Sequence, residues 1–255
     1  MKNNIQLFHG DCLDIMRKIP PKSIDMILCD LPYGVTQNVW DNIIPFEDLW
    51  ECYNRIIKDN GAICLFAQSP FDKTLASSNI NFFKYEWIIE KSKATGFLNA
   101  KKMPMKCHEN LLVFYKKLPV FNPQMTDGHA PAHSYTKHTG DGSNYGSTKI
   151  GISGGGQTTR YPRDVLRFKW DTQKSKLHPT QKPVSMLEYF IKTYSNKGDV
   201  VLDNCMGSGS AGIACINTDR KFIGIEIMEE YYNLAENRIR EFNAGGGDDI
   251  NESVR

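Results

Sequence analysis

Four acidic residues stand where apolar runs stop. They are Asp11 after IQLFHG, Asp30 closing DMILCD, Asp203 closing DVVLD, and Glu226 in FIGIEI. If those runs are parallel strands, their carboxyl ends lie along one rim, which is where ligands bind in such sheets. Between the last two acids sits Gly207-Ser-Gly209-Ser-Ala-Gly212, a glycine turn that leaves a strand and opens a helix. The spacing fits a dinucleotide loop, and Glu226 lies near where a ribose-binding acid is sought. Two points argue against a nicotinamide cofactor. Asp203 directly precedes the turn, and a carboxylate is ill placed beside a pyrophosphate held on backbone N–H groups. It suits a ligand with a cationic amino-acid end and a sulfonium instead. Only 43 residues follow Gly212, room for one strand and one helix but not the rest of a dinucleotide fold.

The second chemical signal is Asp30-Leu31-Pro32-Tyr33-Gly34. Proline and glycine punctuate many strand ends, so a turn is the bland reading. Its place at the end of a buried strand, in a chain with that glycine turn, gives it more weight. An exocyclic amino group on a base is a poor nucleophile because its lone pair is delocalised into the ring. Acceptors on both N–H groups, from the Asp30 carboxylate and the carbonyl near Leu31-Pro32, would favour a more tetrahedral nitrogen. Proline aims that carbonyl in advance. Tyr33 offers an aromatic face for an extruded base. A sulfonium donor is already activated, so positioning supplies most of the catalysis.

These residues need a scaffold of strands alternating with helices. DMILCD (25–30) and AICLFA (62–67) are continuous apolar runs suited to strands buried on both faces. YEWIIEK (85–91), NLLVFYKK (110–117), DVVLD (199–203) and FIGIEI (222–227) read as further strands. Helical spacing marks 46–58, 70–78, 184–195 (opened by Pro183), a helix start at 209–217, and 229–242. This alternation predicts a parallel sheet with helices on both faces. The stretch 118–176, centred on GISGGGQTT, lacks periodicity and reads as an insertion.

Composition excludes several classes. Apolar residues at 40% and charged residues at 24% fit an ordinary globular chain of 255 residues. No run is long and apolar enough for a bilayer, and the N-terminus shows no signal-peptide pattern. Seven scattered cysteines without C-x-x-C spacing point to reduced thiols and no metal site. His129, His133 and His138 lack supporting acids and read as loop histidines.

The net charge of +2 conceals a basic middle. Residues 91–117 hold seven lysines against a lone Glu109, and 137–182 hold nine basic residues against three acids. Such a region can neutralise phosphates, although a solvated face is the plain alternative. Lys93, Lys101, Lys102, Lys106, Arg160 and Arg163, with interleaved aromatics, are the candidate DNA contacts.

Taken in order, D-L-P-Y at 30–33, the basic middle, His178-Pro-Thr-Gln-Lys-Pro183 and the glycine turn resemble the amino-directed DNA methyltransferases (N6-adenine or N4-cytosine) of the permuted beta class. The resemblance covers about Asp11 to Glu226. It implies a Rossmann-like S-adenosylmethionine-dependent methyltransferase fold, α/β, with a mostly parallel seven-stranded sheet and a target-recognition insertion. The expected organisation is a catalytic half at 1–117, the insertion at 118–176, a cofactor half of the same domain at 177–243, and a frayed tail at 244–255. By carry-over, Asp30, Leu31, Pro32 and Tyr33 form the catalytic motif. Asp11, Asp30, His178, Lys182, Asp203, Cys205, Gly207, Ser208, Gly209, Ser210 and Glu226 surround S-adenosyl-L-methionine. Leu31 replaces the family's usual proline, and Asn204-Cys205 replaces Pro-Phe, removing an aromatic contact to the cofactor. Aspartate at position 30 favours adenine over cytosine.

Ring-carbon methylation needs a Pro-Cys pair, which is missing. An NAD-dependent oxidoreductase, a silent DNA-binding module, and an RNA or protein-glutamine target stand as alternatives. The resemblance implies double-stranded DNA as substrate in the cytoplasm of a prokaryote or encoded by a phage. It admits a homodimer and a cognate restriction endonuclease as partners.

Overall fold

The computed structural model describes residues 5–34, 42–136, 151–168 and 181–244, so His178 lies outside the described residues. The chain divides into two compact units, Met1–Asn122 with Asp164–Arg255, and Pro123–Arg163. Elements of the first unit run β1 (Ile5–His9), α1 (Cys12–Met16), β2 (Ile24–Asp30), α2 (Phe46–Ile56), β3 (Ile57–Ala67), α3 (Phe71–Ser78), β4 (Phe83–Thr95), a 3₁₀ turn (Phe97–Asn99) and β5 (Lys106–Phe114). The second unit holds the two-stranded ribbon of β6 (Tyr135–Thr136) and β7 (Ser153–Gly154). The first unit then resumes with β8 (Val165–Arg167), α4 (Val184–Tyr194), β9 (Val200–Asp203), α5 (Ser210–Asn217), β10 (Lys221–Glu226) and α6 (Glu229–Asn243).

The sheet of the first unit has the order β1-β10-β9-β2-β3-β5-β4-β8. β1, β10, β9, β2 and β3 are parallel neighbours; β5 runs antiparallel to β3 and β4, and β8 is parallel to β4. Seven strands were expected in the sheet, and among the described residues it has eight. The extra one is β8, three residues long and too short to leave a periodic signature. It joins the main sheet from within 118–176, where the sequence shows no pattern.

Alternation along the strands separates two cores. Met26 and Leu28, Cys64 and Phe66, and Leu111 and Val113 pack with Met186, Phe190 and Ile191 of α4, with α5, and with Ile239 of α6. The intervening Ile27 and Cys29, Ile63 and Leu65, and Leu112 and Phe114 face Met16 of α1, Trp50 and Tyr53 of α2 and Leu75 of α3. Both faces of the central strands are thereby covered, which explains their unbroken apolar runs. Helix α2 buries Leu49, Trp50, Cys52, Tyr53 and Ile56 on one stripe, with Glu47 and Asp48 in its first turn and Arg55 in its last. It stops two residues before the expected Lys58 because Ile57 is extended and pairs with Ile24.

β9 entered the sheet between β2 and β10, although it comes late in the chain. The chain therefore winds outward in both directions from the β2/β9 boundary. Asp30 and Asp203 end those two strands, and Glu226 ends β10 beside them. A cavity forms at that switch point, as the geometry of open α/β sheets requires.

Candidate active site

The cavity has a volume of about 860 Å³, and its lining joins the sequence signals that lay far apart. Asp11, Asp30, Leu31, Pro32, Tyr33, Lys93, Lys182, Asp203, Cys205, Gly207, Ser208, Ser210 and Glu226 all reach it. Gly209 does not appear in that wall. Its φ of +76° starts α5, and a Cβ there would stand 2.9 Å from Ile239 Cδ1, so its work is close packing.

The catalytic motif is held from two sides. The Tyr33 hydroxyl donates to Asp30 Oδ1 at 2.6 Å, and the Lys182 ammonium lies 3.0 Å from Asp30 Oδ2. Each carboxylate oxygen keeps capacity for another donor. Burial, then the Asp30 charge, pushes the Tyr33 phenol well above its ordinary range, so it stays a neutral donor. One face of the Tyr33 ring stacks on Phe71, with centroids 4.9 Å apart. Leu31 is buried in the second core, so its side chain serves packing and not recognition.

Lys182 lines the cavity and is held there by two carboxylates. Its ammonium bridges Asp30 and Oε2 of Glu109, at 3.0 Å each, and lies 5.0 Å over the Phe66 ring. Burial alone would lower the Lys182 pKa, but the two carboxylates outweigh it and hold it well above the usual lysine value. Lys91 adds a second cation 3.6 Å from Glu109. Glu109 carried a sequence signal, as the lone acid in a basic stretch at the head of an apolar strand. Only the sheet shows what it pairs with.

The opposite wall is built from the glycine turn. Burial raises the Asp203 carboxyl to about 7, and the Cys205 N–H that it accepts at 3.1 Å pulls against that rise. Glu226 receives the N–H groups of Gly207 and Met228, both at 2.9 Å, one on each oxygen. Burial raises it too, and these donors pull against that rise. Its orientation is therefore fixed before any ligand arrives. Asp11 is exposed and caps α1, accepting from Leu13 and Asp14 N–H groups.

Arg238 of α6 escaped sequence reasoning. Its guanidinium donates to Ser208 O and Ser210 Oγ, both at 3.0 Å, and braces the glycine turn from behind. In the sequence it is one of two arginines in an amphipathic helix. Asn204, where the family has proline, is buried and accepts the Tyr53 hydroxyl at 2.6 Å, tying β9 to α2.

Cys12 and Cys205 also line the cavity. Hydrogen bonding with Cys205, then burial, holds Cys12 far above the thiol range, and burial raises Cys29 to about 12. Neutral thiols here do not compete as nucleophiles.

The lining fits a donor-rich cationic ligand. Glu109 Oε1 and Gln181 Oε1 are buried acceptors without a hydrogen-bond partner among the described residues, and both residues face the cavity. With Asp203 and Glu226 they match an ammonium, a ribose diol and a sulfonium. A pyrophosphate at the glycine turn would meet the carboxylates of Asp203 and Glu226.

The DNA candidates divide. Lys93, Lys101 and Lys102 are exposed on the β4–β5 hairpin, while Lys106 donates to Ser69 O at 3.1 Å. Arg160 and Arg163 belong to the second unit. There Arg160 is committed to the Gln157, Thr159 and Ala130 carbonyls, an internal clasp, and Arg163 is exposed.

A two-sided cavity with an amino-directed motif facing a sulfonium-compatible wall defines a methyltransferase site. The chain belongs to the N6/N4 DNA methylase family, whose model matches residues 24–237. It is 29% identical over 252 residues to the DNA adenine methyltransferase YhdJ of Escherichia coli, covering 91% of this chain and 82% of that one. It is 27% identical to the type II methyltransferase M2.MboI of Moraxella bovis, over 99% and 93% of the two chains. Among solved structures, M1.HpyAVI in complex with SAM superposes with a TM-score of 0.62 at 24% identity, covering 92% of this chain and 98% of that one. The cytosine-N4-specific PvuII DNA methyltransferase superposes at 0.68 with 15% identity, covering 96% and 93%. At those identities the likeness is one of fold.

Proposed function

We propose that this DNA methyltransferase transfers a methyl group from S-adenosylmethionine to N6 of adenine in duplex DNA. The observation that carries the reading is the Tyr33–Asp30–Lys182 arrangement facing Asp203 and Glu226 across one cavity. S-adenosylmethionine supplies a methyl carbon already activated by a positive sulfur.

The chain's own residues do the positioning. Asp30, fixed by Tyr33 and Lys182, takes an amino N–H of the target base on a free lone pair. That contact draws the nitrogen lone pair out of conjugation and toward the methyl carbon. The N–C bond forms as the C–S bond breaks, and one amino proton leaves through Asp30 to water. Asp203 and Glu226 hold the cationic and ribose parts of the donor, while Arg238 keeps the turn between them rigid. Extrusion of the base is required because its amino group is inaccessible inside the duplex.

Asp30 at the motif's first position and the adenine-directed YhdJ relative both support adenine. The experiment is direct: incubate the protein with labelled S-adenosylmethionine and unmethylated DNA, digest, and identify the labelled nucleoside. N6-methyladenine is expected. N4-methylcytosine moves the assignment to the other amino base, and unlabelled DNA overturns the reading. The type II relatives make a restriction endonuclease the partner class to test, by protection of methylated plasmid. A homodimeric state belongs to the same reading and is tested by light scattering.

A further inference from the structure

The β4–β5 hairpin extends beyond its last ladder pair, Thr95 with Lys106, in an excursion of residues 96–105. At its tip Leu98 is 96% exposed and Phe97 77%, with Met103 and Met105 exposed beside them. Large side chains left this bare lose the burial that would ordinarily stabilise them, so they await a partner. The tip is not a slack loop. Gly96 adopts φ +91°, a left-handed conformation suited to glycine, and turns the chain into the 3₁₀ segment. Ala100 N–H donates to Phe97 O, and Lys102 and Met103 N–H groups donate to Asn99 O, at 2.8 to 3.0 Å.

The surroundings restrict the partner. From Lys91 through His108 the sequence contains five lysines and no acid. An apolar point flanked along the chain only by cationic residues, with Lys93, Lys101 and Lys102 exposed, matches a polyanion with an apolar interior. Two copies meeting tip to tip would set lysines against lysines, which disfavours self-association. The hairpin is also continuous with the active site, since Lys93, Ala94 and Thr95 line the cavity that holds Asp30. Phe97 follows Thr95 by two residues, a chain path of about 7 Å.

We propose that Phe97 and Leu98 are a wedge that enters the base stack of duplex DNA and fills the gap left by the extruded target base. Apolar side chains inserted at base steps offset the cost of unstacking, while nearby lysines hold the flanking phosphates. This inference rests on the DNA-methylation reading above.

The test compares the F97S/L98S variant with the wild type on two duplexes carrying the target site unmethylated, one with the target adenine paired and one with it opposite an abasic position. On the paired duplex kcat/KM is expected to fall about 30-fold, from a few kcal/mol of unstacking cost. On the abasic duplex, where extrusion is nearly free, the variant is expected within about 3-fold of wild type. Equal losses on both duplexes, or no loss on the paired one, overturn the wedge. Permanganate footprinting on a long duplex gives a readout that needs no turnover. Wild type is expected to expose thymines opposite extruded adenines and the variant not to, and a wild type that exposes none overturns the wedge. Sedimentation with phosphatidylserine vesicles reads the competing surface: binding there, lost in the variant, would assign the tip to lipid instead. Absence of methyl transfer by wild type on either duplex defeats the parent reading and is distinct from a defect confined to the variant.

Discussion

Replacing Lys182 by methionine tests how the catalytic carboxylate is held. The ammonium is one-tenth exposed and lies 3.0 Å from both Asp30 and Glu109. At an effective dielectric of about 20, each contact is worth roughly 5 kcal/mol of Coulomb attraction. Most of that offsets the desolvation of three charged groups. The measurable loss is set by what the substitution leaves behind, a Glu109 side chain only 5% exposed without its main cation. Breaking a buried pair on one side costs about 3–5 kcal/mol. Lys91, 3.6 Å from Glu109, still compensates in part and places the expected loss near the lower end, about 3 kcal/mol. Urea unfolding at constant pH reads this as a shift of the midpoint with little change in slope. The decisive comparison adds Glu109→Gln. If the stranded carboxylate causes the loss, the K182M/E109Q double variant should recover about 2 kcal/mol of it. A K182M protein within about 1 kcal/mol of wild type, or a double variant no more stable than K182M, would refute the assigned bridge.

Three further outcomes follow from the same site. Asp30→Asn is expected to reduce labelled methyl transfer by about 10³-fold or more, with duplex binding in a gel shift unchanged; a near-wild-type rate sinks the role of Asp30. Because the Asp203 carboxyl in the free protein sits at about 7, it is largely protonated below that pH. A cationic ligand favours the ionised form, so calorimetric affinity for S-adenosylmethionine should rise with pH up to about 7, with proton release, and then level off; a flat profile from pH 5.5 to 7 contradicts this. The sign for stability is opposite. A folded pKa raised above the ordinary carboxylate value makes this group's contribution fall as pH rises from about 4 to about 7. Arg238→Met is expected to weaken S-adenosylmethionine binding about 10-fold, because the turn loses its brace at Ser208 and Ser210; unchanged affinity in a calorimetric titration counts against the brace.

The sequence by itself determined the features that are local in the chain. Continuous apolar runs marked β2 and the buried part of β3 because both faces of those strands are covered. Stripes at helical spacing marked α2, α4 and α6. D-L-P-Y and the glycine turn are short-range motifs whose chemistry rests on adjacent residues, and their order along the chain carried the family resemblance. The tertiary structure decided what depends on strands meeting at long range. β9 inserts beside β2, and that single placement brings the strand ends that carry Asp203 and Asp30 side by side. The family resemblance places Lys182 near the cofactor, but its partners Asp30 and Glu109 appear only when α4 docks on the sheet. Arg160 shows the reverse case, a charge that composition offers to phosphate and the fold turns inward to three carbonyls. A side chain's charge is written in the sequence, but its partner is fixed only when backbone packing removes the water that would otherwise satisfy it.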